Sequence, residues 1–139
     1  MAQLISYLTF NGRCREAMTF YHQCFGGELS LQTVGESPMA EALPQEMKNC
    51  ILHSTLKQEG IMLMATDMTD EEGLIHGNDI SILVDCKSEA EIREYYYKLA
   101  TDGQKTQPIE KTFFGVLFGG LTDKFGNQWL LQCKGDSNE

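Results

Sequence analysis

Apolar and polar residues alternate along this chain in a pattern that predicts eight strands and two helices. Residues 13–25 show helical spacing and stop at Gly26 and Gly27, and Ser88 with Glu91 forms a capping box that opens a second helix. The order is therefore βαβββ followed by βαβββ. The predicted strands are 4–10, 28–34, 50–56, 61–66, 79–86, 105–110, 113–122 and 127–133.

Recurring residue pairs indicate that the chain contains two copies of one unit. One copy could not close a core alone, whereas two copies bury sheet faces against two helices. We expect one domain, 1–139, with a first module at about 1–67 and a second at about 79–135. The matches are Ile5-Ser6 with Ile80-Ser81, Phe20-Tyr21 with Tyr95-Tyr96, and 55–64 with 121–131, which places Gly60 on Gly126.

The composition of the chain argues against two classes of binding partner, nucleic acids and membranes. Hydrophobic residues make up 42% and charged residues 22%, which favours a packed core. A net charge of -9 without a Lys/Arg cluster argues against nucleic-acid binding, and no apolar run is long enough to cross a bilayer. The segment "MAQLISYLTF" lacks the features of a signal peptide, so we expect a cytoplasmic protein with neither nucleic-acid nor membrane partners.

Three segments carry a resemblance to a known family: "FNGRCREAMTFYHQCFGGEL" (10–29), "GESPMAEALPQEMKNCILHSTL" (35–56) and "KTFFGVLFGGLTDKFGNQW" (111–129). Together they resemble the PhnB-like branch of the vicinal oxygen chelate superfamily. The branch is also labelled 3-demethylubiquinone-9 3-methyltransferase-like, and the superfamily includes glyoxalase I, bleomycin-resistance proteins and extradiol dioxygenases. The resemblance implies an α+β fold, in which two βαβββ modules curl a mixed/antiparallel sheet around a cup, and a homodimer.

Metal-dependent members of that superfamily carry four ligands, mostly His and Glu, on the first and last strands of each module. Carried over to this chain, the positions fall at Ser6, Met64, Asp79 (or Ser81 by the internal repeat) and Leu130. Of these, only Asp79 is a residue type that ligates divalent ions well, and one carboxylate does not hold a metal. We therefore predict no cofactor, and a divalent metal is disfavoured.

The methyltransferase label has no support in the sequence either. A Rossmann-type methyltransferase needs a glycine-rich loop between an early strand and helix. The first such junction here is "NGRCR", with a single glycine.

Strand alternation indicates what lines the cup instead of a metal. If Met64 and Leu130 point into it, their strands also contribute Met62 and Gln128. Within the long irregular connection at 35–48, the segment 37–41 would act as a lid, with Met39 at its apolar tip. The predicted pocket is apolar and suits a small apolar or aromatic ligand. The candidate ligand-binding residues are Ser6, Leu8, Met39, His53, Met62, Met64, Phe114, Gln128 and Leu130.

The candidates for catalysis are His53 and Asp67. His53 could act as an acid or base, or be a half-exposed strand histidine, which we favour. Asp67 could orient a ligand group or begin an Asx-turn. The leading hypothesis is a metal-free small-molecule binding protein. The alternatives are a metal-dependent lyase, isomerase or dioxygenase with a displaced site, cysteine chemistry at Cys14 or Cys50, and a non-enzymatic dimeric scaffold. Whether the chain is an enzyme stays open.

Overall fold

A computed structural model describes residues 2–69 and 72–134. Within them lie eight strands and two α-helices, in the predicted order βαβββ–βαβββ. The elements are β1 Ser6–Thr9, α1 Cys14–Phe25, β2 Glu28–Thr33, β3 Ile51–Gln58, β4 Ile61–Thr66, β5 Ile82–Cys86, α2 Glu89–Leu99, β6 Gln104–Lys111, β7 Leu117–Thr122 and β8 Gln128–Cys133.

The chain divides into two compact units, Met1–Ile75 and His76–Glu139. The sheet of the first unit has the order β1-β4-β3-β2, and that of the second has the order β5-β8-β7-β6. In each sheet the first strand pairs in parallel with the last, and the remaining pairs are antiparallel. The predicted α+β fold of two βαβββ modules is confirmed, while the assignment of both to one domain stays a prediction.

One helix covers one face of each sheet. In the first unit, α1 buries Met18 and Tyr21 on the side of the sheet where Leu56, Leu63 and Ala65 are buried. In the second unit, the apolar side of α2 (Ile92, Tyr96 and Leu99) meets a sheet face that buries Leu121, Trp129 and Leu131. Among the described residues, no α-helix of the same unit packs on the opposite face of either sheet.

The predicted N-cap of α2 is confirmed. Ser88 Oγ accepts a hydrogen bond from Glu91 N–H at 3.1 Å. The Glu91 carboxylate in turn accepts from the backbone N–H of Lys87, one residue before the cap. Unpaired N–H groups at the helix start are thereby satisfied.

Two predicted strands begin three or more residues later in the chain than the sequence indicated. β5 starts at Ile82, so Asp79 and Ser81 precede it. β7 starts at Leu117, because 113–116 form a turn in which Thr112 N–H donates to Val116 O and Gly115 has a φ of 85°. A positive φ is tolerated well by glycine and breaks the extended run.

Gly119 of β7 allows α2 to pack closely on the second sheet. A β-carbon on Gly119 would lie 2.9 Å from Ile109 Cγ1 and 3.1 Å from the Tyr96 ring. The Tyr96 hydroxyl reaches over β7 and donates to the carbonyls of Gln107 (2.9 Å) and Gly120 (3.1 Å). Tyr96 thus connects α2 to both β6 and β7.

No helix among the described residues is long and apolar enough to cross a membrane.

We predict that Tyr96→Phe lowers the free energy of unfolding by about 1–2 kcal/mol, since the strand carbonyls of Gln107 and Gly120 lose the hydroxyl donor that they share. Urea denaturation followed by far-UV circular dichroism measures it. Tyr97→Phe is the matched control, because Tyr97 is 53% exposed and its hydroxyl has no comparable role. Equal losses for both variants would contradict the assigned role of Tyr96.

Candidate functional site

The uncovered face of the first sheet is defined by strand register. Tyr7 pairs with Met64, Met64 with Thr55, and Thr55 with Ser30, so these four side chains point to the same side. The neighbouring row, which includes Leu63 and Leu56, is buried beneath α1. We call the exposed and half-buried set the first open face: Tyr7, Ser30, His53, Thr55, Met62 and Met64.

The second sheet has an equivalent surface. Leu83 pairs with Leu130, and Leu130 with Gly120, while the neighbouring residues Trp129 and Leu131 are buried on the helix side. Leu83 is 51% exposed even though it is a strand leucine. We call this set the second open face: Leu83, Asp85, Glu110, Phe118, Gln128, Leu130 and Gln132.

The predicted placement of Ser6 and Leu8 on the face of Met64 is wrong. Ser6 pairs with Leu63 and Leu8 with Ala65, so both belong to the helix-covered row, and Tyr7 lies beside Met64. A one-residue change of register moves every side chain of a strand to the other face. The predicted faces of Met62, Met64, Gln128 and Leu130 agree with the register.

The error arises from counting back to the first strand from Phe20-Tyr21 in the helix. The helices repeat at the predicted offset, and the equivalent residues Tyr21 and Tyr96 are both buried. The first strands do not repeat at that offset. Tyr7 pairs with Met64, and Leu83 pairs with the matched residue Leu130, so Tyr7 is equivalent to Leu83. The connection from strand to helix is thus one residue longer in the first unit.

The strand register also revises the four positions that would hold a metal. Next to Met64 and Leu130 lie Tyr7 and Leu83, in place of the predicted Ser6 and Asp79. Asp79 is exposed and lies before β5. Among residues 2–69 and 72–134, no three His, Cys, Asp or Glu side chains lie together in a way that could hold a metal ion.

Asp67 has a structural role that the sequence did not indicate. Its Oδ1 accepts hydrogen bonds from the N–H groups of Gly12 and Cys14, and its Oδ2 accepts one from Ile51, each at 2.9 Å. The carboxylate is buried and joins the start of α1 to the start of β3. These donors are distant in sequence, so the expected Asx-turn is not what holds Asp67. A catalytic role for it stays a prediction.

His53 lies on the first open face and is exposed, with Gln32 as its cross-strand neighbour. Its Nε2 is 3.4 Å from Thr55 Oγ1. No carboxylate is recorded as a hydrogen-bond partner of this ring among the described residues, so nothing there orients it as a general base. Its proposed contact with ligand stays a prediction.

Met39 and Phe114 lie in connections rather than on strands. Met39 is exposed in the segment between β2 and β3, where Ser37 Oγ accepts from its N–H. Phe114 is exposed at the β6–β7 turn, with its ring centroid 4.2 Å from that of Phe113. The predicted lid and the predicted ligand contact of Phe114 are not tested by this arrangement.

The two cysteines considered for catalysis, Cys14 and Cys50, do not have the character of nucleophiles. Burial raises the pKa of Cys14 to about 11 and that of Cys86 to about 12, and it also raises the pKa of Cys50. All five thiols are free, and four of them are buried. A thiol with a raised pKa is protonated at neutral pH and therefore a poor nucleophile, which argues against cysteine chemistry at Cys14 or Cys50.

On the two strands that pair in parallel, β1 and β5, sequence reasoning missed the open-face residues Tyr7, Leu83 and Asp85. The matched hairpins carried a signal for them, because Met64 and Leu130 were placed on the correct face and Tyr7 and Leu83 are their parallel partners. For the first strand, the sequence reasoning counted back from Phe20-Tyr21 instead.

Comparison with known proteins gives a family match. The model described as 3-demethylubiquinone-9 3-methyltransferase matches residues 2–132. The chain is similar to protein PA1353 from Pseudomonas aeruginosa, with 35% identity, coverage of 98% of this chain and 100% of that one, and a TM-score of 0.86. It is also similar to a putative 3-demethylubiquinone-9 3-methyltransferase, PhnB protein, from Bacillus cereus, with 27% identity, coverage of 95% and 99%, and a TM-score of 0.74.

More distant structures share the fold alone. A glyoxalase/bleomycin resistance protein/dioxygenase family enzyme from Burkholderia phytofirmans PsJN has 14% identity, coverage of 92% and 96%, and a TM-score of 0.61. The chain therefore has the glyoxalase/bleomycin resistance fold. Because this fold hosts many chemistries, the match leaves the activity to be argued from the site.

We predict that Asp67→Asn lowers the free energy of unfolding by about 2–3 kcal/mol, because a buried charged acceptor of three N–H bonds is replaced by a neutral group with one acceptor atom. Chemical denaturation measures the change. The control is Asp79→Asn, which makes the same substitution at an exposed site and should change stability by less than about 0.5 kcal/mol. An unchanged midpoint for Asp67→Asn would contradict the structural role.

Proposed function

The chain belongs to the 3-demethylubiquinone-9 3-methyltransferase family, PhnB-like and of the glyoxalase/bleomycin resistance fold, and we propose that it binds a small molecule on its open faces without a bound metal ion. The observation that carries this proposal is the character of four strand positions. Tyr7, Met64, Leu83 and Leu130 stand where metal-dependent relatives would present ligands, and all four are apolar or aromatic.

Exposure of these side chains supports a binding role. Tyr7 is 56% and Leu83 51% exposed, although both belong to regular strands whose other faces are half-buried or buried. Met62 and Met64 of the first sheet and Leu130 of the second sheet are half-buried. Covering apolar surface is favourable by about 25 cal/mol per Å², so a ligand or partner that covers these residues gains free energy. Methionines adapt to ligands of different shape.

The alternative of an enzyme with a displaced metal site is less favoured. In that alternative, the metal ligands would be Asp79, His53 and Asp67. Asp67 would have to give up hydrogen bonds to three backbone N–H groups before it could ligate an ion. Leaving buried N–H groups unpaired costs about 1–3 kcal/mol each.

Methyl transfer is not part of the proposal despite the name of the family. The described residues form two mixed four-stranded sheets rather than the doubly wound parallel sheet of a Rossmann-type methyltransferase. The junction between β1 and α1 is a short turn whose Gly12 and Cys14 N–H groups donate to Asp67. Those donors are thus not available to a cofactor.

We also propose a homodimer that acts in the cytoplasm. The free thiols suit a reducing compartment. A candidate dimer contact is the pair of Phe113 and Phe114, which are 93% and 78% exposed at the tip of the β6–β7 hairpin. A scaffold function would need the same contact but no ligand.

Thermal unfolding tests the binding proposal. We expect phenylbutanol or naphthol at about a hundred times its Kd to stabilise the protein by about 2.7 kcal/mol, because a ligand of the native state alone must raise stability. Ni²⁺, Zn²⁺, Mn²⁺ and Fe²⁺ should leave the melting temperature unchanged. A stoichiometric ion that raises it would overturn the metal-free proposal. If neither compound, nor any other aromatic or lipophilic metabolite tested, raises the melting temperature, the result would favour the scaffold function.

The matched variants Tyr7→Ala and Tyr97→Ala locate the site. The two tyrosines are 56% and 53% exposed, but only Tyr7 lies on an open face. We predict that Tyr7→Ala weakens naphthol binding about tenfold through loss of a ring contact, while Tyr97→Ala leaves it unchanged. Isothermal titration calorimetry gives both affinities, and equal effects would place the site elsewhere.

The double variant Phe113→Ser with Phe114→Ser tests the dimer contact. We predict that it sediments as a monomer at concentrations where the unchanged protein is dimeric, because the exposed ring pair would lose its apolar contact. Analytical ultracentrifugation distinguishes the two species. A dimer that persists in the variant would exclude this hairpin tip as the main contact, and a monomeric unchanged protein would overturn the homodimer.

A further inference from the structure

A row of four side chains crosses the second open face from one edge strand to the other. Register places Asp85 beside Gln132, Gln132 beside Phe118, and Phe118 beside Glu110. The row therefore begins and ends with a carboxylate and has an aromatic ring and an amide between them. Strands are spaced about 4.8 Å apart, so the two carboxylates are separated by roughly 14 Å and act as separate charges.

The carboxylate of Asp85 is oriented but not neutralised. Gln132 Nε2 donates to its Oδ1 at 3.2 Å, and Oδ2 has no hydrogen bond within 2–69 and 72–134. Arg13–Glu16, Arg93–Glu89 and Lys98–Glu94 are ion pairs within a helix or at a helix start. Within the described chain, neither Asp85 nor Glu110 has a Lys or Arg partner, and one oxygen of Asp85 stays available to a donor.

Apolar groups surround this carboxylate on the same face. Leu83 and Leu130 form the adjacent row, and Phe118 lies one strand beyond Gln132. A carboxylate attracts a cation, an aromatic ring adds a cation–π attraction within about 6 Å, and leucines cover a hydrocarbon body. An anionic ligand would instead be repelled by Asp85 and Glu110.

We infer that the ligand of the second open face is an organic cation, an ammonium or guanidinium group carried on an apolar body. Asp85 is its ion-pair partner, Gln132 positions the carboxylate, and Leu83 with Leu130 contacts the hydrocarbon part. This inference rests on the proposed function, because it names the class of molecule that the open face binds. If Asp85 only contacted solvent, its removal would leave the preference for a cationic ligand unchanged.

Three probes of the same shape test the charge preference: phenylbutylamine, phenylbutanol and phenylbutyrate, which are cationic, neutral and anionic at pH 7. Isothermal titration calorimetry should show the amine binding about fivefold tighter than the alcohol, and the alcohol tighter than the carboxylate. The preference for the amine should shrink as salt is raised, since screening weakens charge interactions at an exposed site.

The variant Asp85→Asn tests whether Asp85 is the source of the preference for the amine. We expect it to lower the affinity for the amine to that for the alcohol and to leave the affinity for the alcohol unchanged, because only the charge is removed. Asp102→Asn is the matched control, since it removes an equal charge from an exposed residue of the same unit, in the turn after α2. Urea midpoints equal to that of the unchanged protein show that both variants are folded.

The outcomes separate the two proposals. Equal affinities for amine and alcohol would overturn the inference and leave small-molecule binding standing. Equal weakening of the amine by both variants would overturn the role of Asp85 and indicate an effect of net charge. No binding of any of the three probes, together with no stabilisation by naphthol, would overturn both.

Discussion

Each unit depends on a parallel pairing between its first and last strands. These strands are distant in sequence, because a helix and two further strands lie between them, and the pairing closes the sheet over the helix. Once Ser6 lies beside Leu63, Tyr7 must lie beside Met64, and the alternation of side chains assigns every other residue of the strand to a face. The composition of each open face follows from this register.

Two buried carboxylates serve the backbone rather than a reaction. Asp67 accepts from N–H groups at the start of α1 and of β3 in the first unit. In the second unit, Asp123 accepts from the N–H groups of Phe125 and Asn127, and from the indole N–H of Trp129 at 2.8 Å. Burial of an ionised carboxylate is costly unless several donors compensate it, and both aspartates meet this condition. Their oxygens are occupied, whereas Asp85 on the second open face keeps one oxygen available.

The open faces, rather than the buried carboxylates and helix-covered rows, are therefore the surfaces suited to binding a ligand. Helix-covered rows are filled with large apolar side chains such as Leu63 and Trp129, which leave no space for a ligand. The opposite rows combine Tyr7, Leu83 and half-buried methionine and leucine side chains with a small number of polar groups. Such surfaces bind through burial of apolar area and use a few polar contacts for selectivity. The proposed binding of a small molecule relies on burial of apolar area, and the inferred preference for a cation relies on the polar contacts.

The sequence by itself determined the order of elements, the duplication and, to within two residues, the ends of most helices and strands. Those features depend on local periodicity and on capping residues such as Ser88, whose hydrogen bond spans only three residues. The sequence also predicted correctly the faces of β4 and β8, because a hairpin with a fixed turn at Gly60 or Gly126 transmits the register directly. Only the tertiary structure decided the face of β1, the donors of Asp67, and the row from Asp85 to Glu110. Each depends on pairing between residues far apart in the chain, and a connection longer by one residue was enough to reverse the predicted face.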